Sequence, residues 1–362
     1  MIQRRRVQDI AIRGLMACQT NVGIIAGPGH FVDLWARDSL FATFGAGAAI
    51  TKKTIETFLR HQRTDGLIPY RVRRSAVSLS KYFGTPKYLS SPVADFRSYQ
   101  SGGIVPDGGL MTVIATFGYV RRSGDRQFFV THKSQLVKAV EWYDERLKNN
   151  LISEWFLCEW ADAVLKVGKT LYTNILYWKA LGDLGMHAKQ RTVGDAIRKY
   201  FWNGTFFGDW IDYRRQNYFA SHANMLAIVF GFTTEREAAR ILSYARRHCW
   251  NGWTLETNYP RYPFWRIPLH NHLVGMGDYH NRGCLWLQPG IVYAMALYKA
   301  GQQQEARRVF DAISKKIVEY NGVYEVYEKS GKPVARRFYT SEQPFAWSAG
   351  LYLWAYRDCF SS

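Results

Sequence analysis

Long hydrophobic runs are missing from this sequence. The longest, around Met225 to Phe232, is far short of the ~20 apolar residues that a membrane-spanning helix needs. Arg4, Arg5 and Arg6 are not followed by a charge-free hydrophobic region, so no secretory leader is expected and the chain reads as soluble and mature as written. Cysteine is sparse as well: Cys18, Cys158, Cys249, Cys284 and Cys359 are odd in number and never fall in CxxC spacing. That excludes a disulfide framework and a cysteine zinc site, and makes the cytoplasm the simplest expected location. No Ser/Gly linker or shift in composition divides the chain, which predicts one domain over residues 1–362. Glycine-rich phosphate loops and a nucleophile elbow are absent, and Gly27-Pro28-Gly29 reads as a turn. His270, His272 and His280 match no zinc signature and suggest a hydrogen-bonding loop, so neither metal nor cofactor is expected.

Two features are abundant. The formal net charge is +19, but the basic residues are dispersed and cluster only at Arg4–Arg6 and Arg71-Val72-Arg73-Arg74. With no RNA-reading, zinc-finger or basic-zipper motif beside them, the charge reads mainly as solvated surface, and a basic helical nucleic-acid binder is the lesser alternative. Aromatic residues make 16% of the chain, with 13 Trp, 23 Tyr and 21 Phe. Flat rings beside carboxylates and amides suit sugars, because the ring covers the C–H face while polar groups take the hydroxyls. A large aromatic core is the competing explanation.

Helical spacing of apolar residues recurs over 39–60, 110–119, 135–147, 171–184, 194–201, 224–230, 235–247, 290–300, 305–320 and 346–357. Strand-like alternation is nearly absent; only 322–328, with 338–340 opposite, suggests a short hairpin. The pattern predicts an all-α toroid or bundle. The long segments 74–107 and 251–283 are uncommon in compact domains unless they are functional.

Four acid-bearing stretches stand at loop-to-helix junctions. They are Phe31-Val32-Asp33-Leu34-Trp35-Ala36-Arg37-Asp38-Ser39, Pro106-Asp107-Gly108, Glu159-Trp160-Ala161-Asp162, and Tyr324-Glu325-Val326-Tyr327 followed by Ser341-Glu342-Gln343-Pro344-Phe345-Ala346-Trp347-Ser348. Three of the four set a carboxylate beside an aromatic ring. Local folding rules do not require that recurrence.

Here the chain resembles a known superfamily. "DLWARDSLFA" is similar to the arginine-aspartate signature of the (α/α)6-barrel glycoside hydrolases, the glycogen-debranching (amylo-1,6-glucosidase), α-glucosidase, trehalase and invertase-like families. "EWADAVLKVGKTLYTNILYWKAL" resembles their general-acid segment, "YHNRGCLWLQPG" their Tyr-x-Asn-Gly…Trp-Pro segment, and "EVYEKSG…EQPFAWSAG" their base-bearing tail. The resemblance runs in order over about residues 30 to 355. Leu287-Gln288-Pro289 departs from the usual Trp-Pro pairing, and Arg282 intervenes in the Asn-Gly step.

The resemblance implies an all-α (α/α)6 barrel that hydrolyses an α-linked glucoside or related oligosaccharide with inversion. It implies Asp162 as general acid, with Trp160 as the apolar wall that keeps a carboxyl protonated near neutral pH. The base is Glu325, or alternatively Glu342. Inversion requires the two carboxyls to stand ~6.5–9.5 Å apart with a water between them. Phe31, Trp35, Arg37, Asp38, Asp107, Lys169, Asn174, Trp286 and Trp347 join Trp160 as expected substrate contacts. An ordinary helix-start ion pair for Arg37 and Asp38, a helix-start acid for Asp107 and core packing for the tryptophans remain the plainer readings. A catalytically inactive carbohydrate-binding protein on the same scaffold is the main alternative function.

Overall fold

In the computed structural model of the chain, residues 2–75 and 88–361 are described, with side chains from Arg5 onward. Thirteen α-helices are present among them. In chain order these are α1 (Ile2–Ala17), α2 (Ala36–Ala42), α3 (Ala48–Arg60), α4 (Asp107–Ser123), α5 (Arg126–Glu141), α6 (Leu171–Asp183), α7 (His187–Phe201), α8 (Ser221–Val229), α9 (Glu235–His248), α10 (Leu269–Leu273), α11 (Leu287–Lys299), α12 (Gln303–Glu319) and α13 (Ala346–Ala355).

Apolar patterning sorts these helices into two layers. In α9 only Ala238, Ile241, Leu242 and Ala245 are buried, a single stripe at i, i+3, i+4 and i+7, and Thr234 with Glu237 closes its start as a capping box. By contrast, residues 287–297 of α11 are all buried, as a helix enclosed on every side requires. The enclosed helices α2, α4, α6, α8, α11 and α13 pack in succession, and α13 returns to α2 to close the ring. Helices α1, α3, α5, α7, α9 and α12 pack outside it. Outer and inner helices alternate along the chain as six hairpins, which is the expected (α/α)6 barrel. Ring closure needs a close backbone approach: a Cβ on Gly350 of α13 would stand 2.4 Å from Ala42 Cα of α2.

Four expectations are corrected. Residues 39–60 form two helices, because the chain turns at Thr43–Gly47, where a Cβ on Gly45 would meet the Gly350 carbonyl oxygen at 2.3 Å. Helix α1, with Val7, Ile10, Ala11 and Leu15 buried, was not expected from its arginine-rich sequence. Short strands are also more numerous than the alternation suggested. One antiparallel sheet joins 169–170, 208–211, 215–220 and 258–259; another joins 34–35, 71–75 and 88–95. The hairpin expected between 322–328 and 338–340 is paired differently: Val326–Tyr327 lies against Leu285–Trp286, and Ala335–Arg336 against Tyr339–Thr340. Two-residue pairings are too short for alternation to set their register. Part of the long 74–107 segment, residues 76–87, lies outside the described residues.

Candidate active site

The inner helices all begin at one end of the ring, and the loops that enter them surround a cavity of about 510 Å³. Its walls include Phe31, Trp35, Arg37, Asp38, Trp160, Asp162, Trp286, Glu325 and Trp347. Three of the four acid-bearing junctions singled out by sequence therefore converge, those of α2, α6 and α13, and the start of α11 joins them through Trp286. Asp107, at the start of α4, stands behind the wall, where its carboxylate accepts a hydrogen bond from Arg37 Nε at 2.7 Å. Burial draws the guanidinium down, but Asp107, Tyr172, Asp162 and Asp38 outweigh it and hold the positive charge.

The tryptophans make an aromatic floor. Trp160 meets Trp286 and Trp347 edge to face, at 6.1 and 6.2 Å between centroids. Trp347 in turn stacks on Phe41 of α2 at 5.2 Å. Trp35 stands higher, edge-on to Phe31, Tyr70 and Tyr99. Trp160, Trp286 and Trp347 are each nearly fully buried, as core residues are, and each also lines the cavity.

Asp162 sits on the segment between Trp160 and α6. Behind it Lys166 Nζ is salt-bridged to Glu159 and lies 3.0 Å from Asp209, and Tyr262 Oη donates to Asp209 at 2.5 Å. Burial within the cavity raises Asp162 to about 6, with Arg37 opposing and Glu159 and Asp107 adding to the rise. His280 Nδ1 lies 3.8 Å from Asp162 Oδ1, and the imidazole stacks on Trp286 at 4.7 Å. Burial, with Arg37 and Lys166 nearby, pulls His280 well below the usual histidine range, so the ring is neutral. Asp38 is raised to about 7 by burial; Arg37 opposes this, and Glu325 and Asp162 contribute to it.

The two candidate glutamates are placed differently. Glu325 faces the cavity and accepts hydrogen bonds from the phenols of Tyr279 and Tyr339 and, at 3.3 Å, from the Glu342 amide. The Glu342 carboxylate instead accepts from the Gly29 and His30 amides at 2.8 and 2.7 Å. This accounts for Gly27-Pro28-Gly29: a Cβ on Gly27 would meet Glu342 Cγ at 2.3 Å, and one on Gly29 would meet Glu342 Oε1 at 2.7 Å. Glu342 fastens the loop that leads to Phe31 and does not line the cavity.

Besides Asp107, two more expected substrate contacts lie outside the cavity. Asn174, on α6, accepts at its oxygen from the Ile152 amide at 2.8 Å and donates its NH2 to the Ile152 and Thr170 carbonyls at 3.1 and 2.8 Å. Its polar atoms are spent on backbone. Lys169 lies in the four-stranded sheet opposite Ile211, and burial followed by Lys148 lowers its ammonium. Asp33, inside the arginine-aspartate stretch, accepts from the Arg74 and Ser75 amides at 2.7 and 3.0 Å.

Sequence reasoning did not single out Tyr279, Tyr339, Tyr99 or Gln100, all of which line the cavity, and read His280 as part of a hydrogen-bonding loop without placing it in the site. Tyr279 opens the "YHNRGCLWLQPG" stretch, so that motif carried a usable signal; Tyr339 had none. His270 also lines the cavity, while His272 stacks on Phe264 outside it.

No family model matches the chain, and no curated protein sequence does. Among solved structures it is similar to GH63 mannosylglycerate hydrolase from Thermus thermophilus in complex with Tris, with TM-score 0.70 and 15% identity over 96% of this chain and 99% of that one. It is similar to a rhamnosidase from Klebsiella oxytoca with rhamnose bound, with TM-score 0.68 and 15% identity over 99% and 64% of the two chains. A GH78 family rhamnosidase of Bacillus sp. GL1 matches at TM-score 0.67 and 17% identity, over 97% of this chain and 34% of that one. At these identities the shared property is the fold.

Proposed function

We propose that this chain is an inverting glycoside hydrolase, a single catalytic domain acting on an α-linked glucoside or related small glycoside. The observation that carries the reading is that Asp162 and Glu325, 163 residues apart in sequence, both face one aromatic-lined cavity at the N-terminal end of the inner helices. The activities named for the solved structures of like fold support the same class.

Asp162 is the general acid. Its raised value keeps a useful fraction protonated near neutral pH, so it can donate to the leaving oxygen. Glu325 is the base: two phenols and an amide donate to its oxygens and fix the carboxyl group where it faces the cavity. Arg37, held by Asp107, and Asp38 bind sugar hydroxyls, while Trp35, Trp160 and Trp286 cover the apolar faces. The neutral His280 imidazole beside Asp162 contributes a further polar contact to the sugar.

An assay across α-glucosides, α-mannosides and α-rhamnosides tests the proposal. Release of free sugar from at least one of them is the expected result. Sugar binding without turnover across the panel would replace it with the carbohydrate-binding reading.

A further inference from the structure

A second cleft of about 510 Å³ lies on the far side of the loop that gives Tyr99 and Gln100 to the catalytic cavity. Its walls are that loop, around residues 101–104, and the segment 152–155 that leads toward Trp160 and Asp162. The two walls are closely fitted. A Cβ on Gly103 would stand 2.7 Å from both Cys158 Sγ and Trp155 Cβ.

Four side chains give the cleft its chemistry. Trp155 is a large ring left 52% exposed. Arg97 and Arg146 are each tethered through Nη1 to a backbone carbonyl, Gly102 O at 2.9 Å and Trp142 O at 2.6 Å, and Arg146 also lies over the Trp142 ring at 3.8 Å. Among the described residues neither guanidinium has a carboxylate partner within salt-bridge distance. Glu154 is 7% exposed; its Oε1 accepts from Thr170 and Thr173, and its Oε2 has no partner among the described residues. Burial, with Glu159 adding to it, raises Glu154 to about 8, so at neutral pH it supplies a donor and no charge.

We propose that this cleft binds a saccharide carrying a carboxylate, its ring lying on Trp155 and its carboxylate held between Arg97 and Arg146. An exposed indole beside two preordered guanidiniums is the arrangement such a ligand requires: the ring takes the C–H face, and the planar forks take the carboxylate. The +19 chain charge draws anions toward this surface. The site is independent of the hydrolytic reading, and its binding is measured without turnover.

The test is a titration of the full chain, its tryptophan indoles labelled with nitrogen-15, with D-glucuronate and separately with D-glucose. The Trp155 resonance is identified by its loss in Trp155→Phe. It is expected to shift saturably with glucuronate and to respond at least about tenfold more weakly to glucose. The double variant Arg97→Ala/Arg146→Ala is expected to weaken glucuronate binding about tenfold or more, while the hydrolytic rate stays within about twofold of wild type. An unmoved Trp155 resonance, an equal response to glucose, or unchanged binding in the double variant would overturn the proposal.

Discussion

A carboxyl acts as an acid only where its surroundings resist its charge, and Asp162 has such surroundings in the cavity floor around Trp160. If it must be protonated to work, kcat/KM is predicted to fall as pH rises above about 6, close to tenfold per unit once the carboxyl is mostly ionised. A pH–rate profile on any cleaved substrate checks this, and a profile flat from pH 6 to 9 would remove Asp162 from the role. Glu325 depends on its donors in a different way. Replacing Tyr339 by Phe deletes one hydrogen bond to the carboxylate, worth ~1.5–3 kcal/mol for a charged acceptor, so kcat is predicted to drop roughly ten- to hundredfold with little change in KM. The cavity-facing acids were legible in the sequence because each stood beside an aromatic at a junction. Tyr339 and His280 were not, because a ring that serves a carboxylate across tertiary contacts leaves no local spacing.

Asn174 shows why a motif residue can be read correctly for place and wrongly for purpose. The same bonds recur one hairpin later: Asn224 on α8 accepts at its oxygen from the Phe207 amide at 3.1 Å and donates its NH2 to the Phe207 and Ala220 carbonyls. Both asparagines are the fourth residue of an inner helix, tying its first turn to the chain that runs alongside. Asn174→Ala would remove three hydrogen bonds to backbone in a buried site, and is predicted to destabilise the fold by about 2–4 kcal/mol. Thermal unfolding measures this, and sugar affinity of the folded variant is predicted to be unchanged. Most helices were legible because a one-sided or all-round apolar pattern persists over several turns. The short strand pairs were not, since two residues have no period to detect, and α1 was obscured by arginines on its exposed side.

Across the whole molecule the six-hairpin ring is a repeat without a repeated sequence, so no period betrayed it; helical spacing implied only a toroid or bundle, and the resemblance of the junction motifs implied the ring. The ring also gathers acids against the sign of the chain. Glu154, raised to about 8, and Asp38, raised to about 7, bind protons more tightly folded than unfolded, so their stabilising contribution is complete below pH ~4 and is lost as pH climbs through those values. His222, lowered to about 3 by burial and then Arg37, acts in the opposite sense, but its contribution is already complete above pH ~6.5. Stability is therefore predicted to decline between pH ~6.5 and 8.5 by on the order of 1–2 kcal/mol, and Glu154→Gln is predicted to flatten much of the slope. Denaturant titrations at several pH values would check this; a rise in stability over that window would refute it.

The central claim is that two carboxyls facing one cavity cleave a glycoside by a single displacement. Proton NMR of the first sugar released from a cleaved α-glycoside, recorded before mutarotation, tests it most directly when wild type and Asp162→Asn are run side by side. The account predicts the β-anomer first, with the variant slowed by about 10²–10⁴-fold. The α-anomer appearing first, or a variant as fast as wild type, would contradict it.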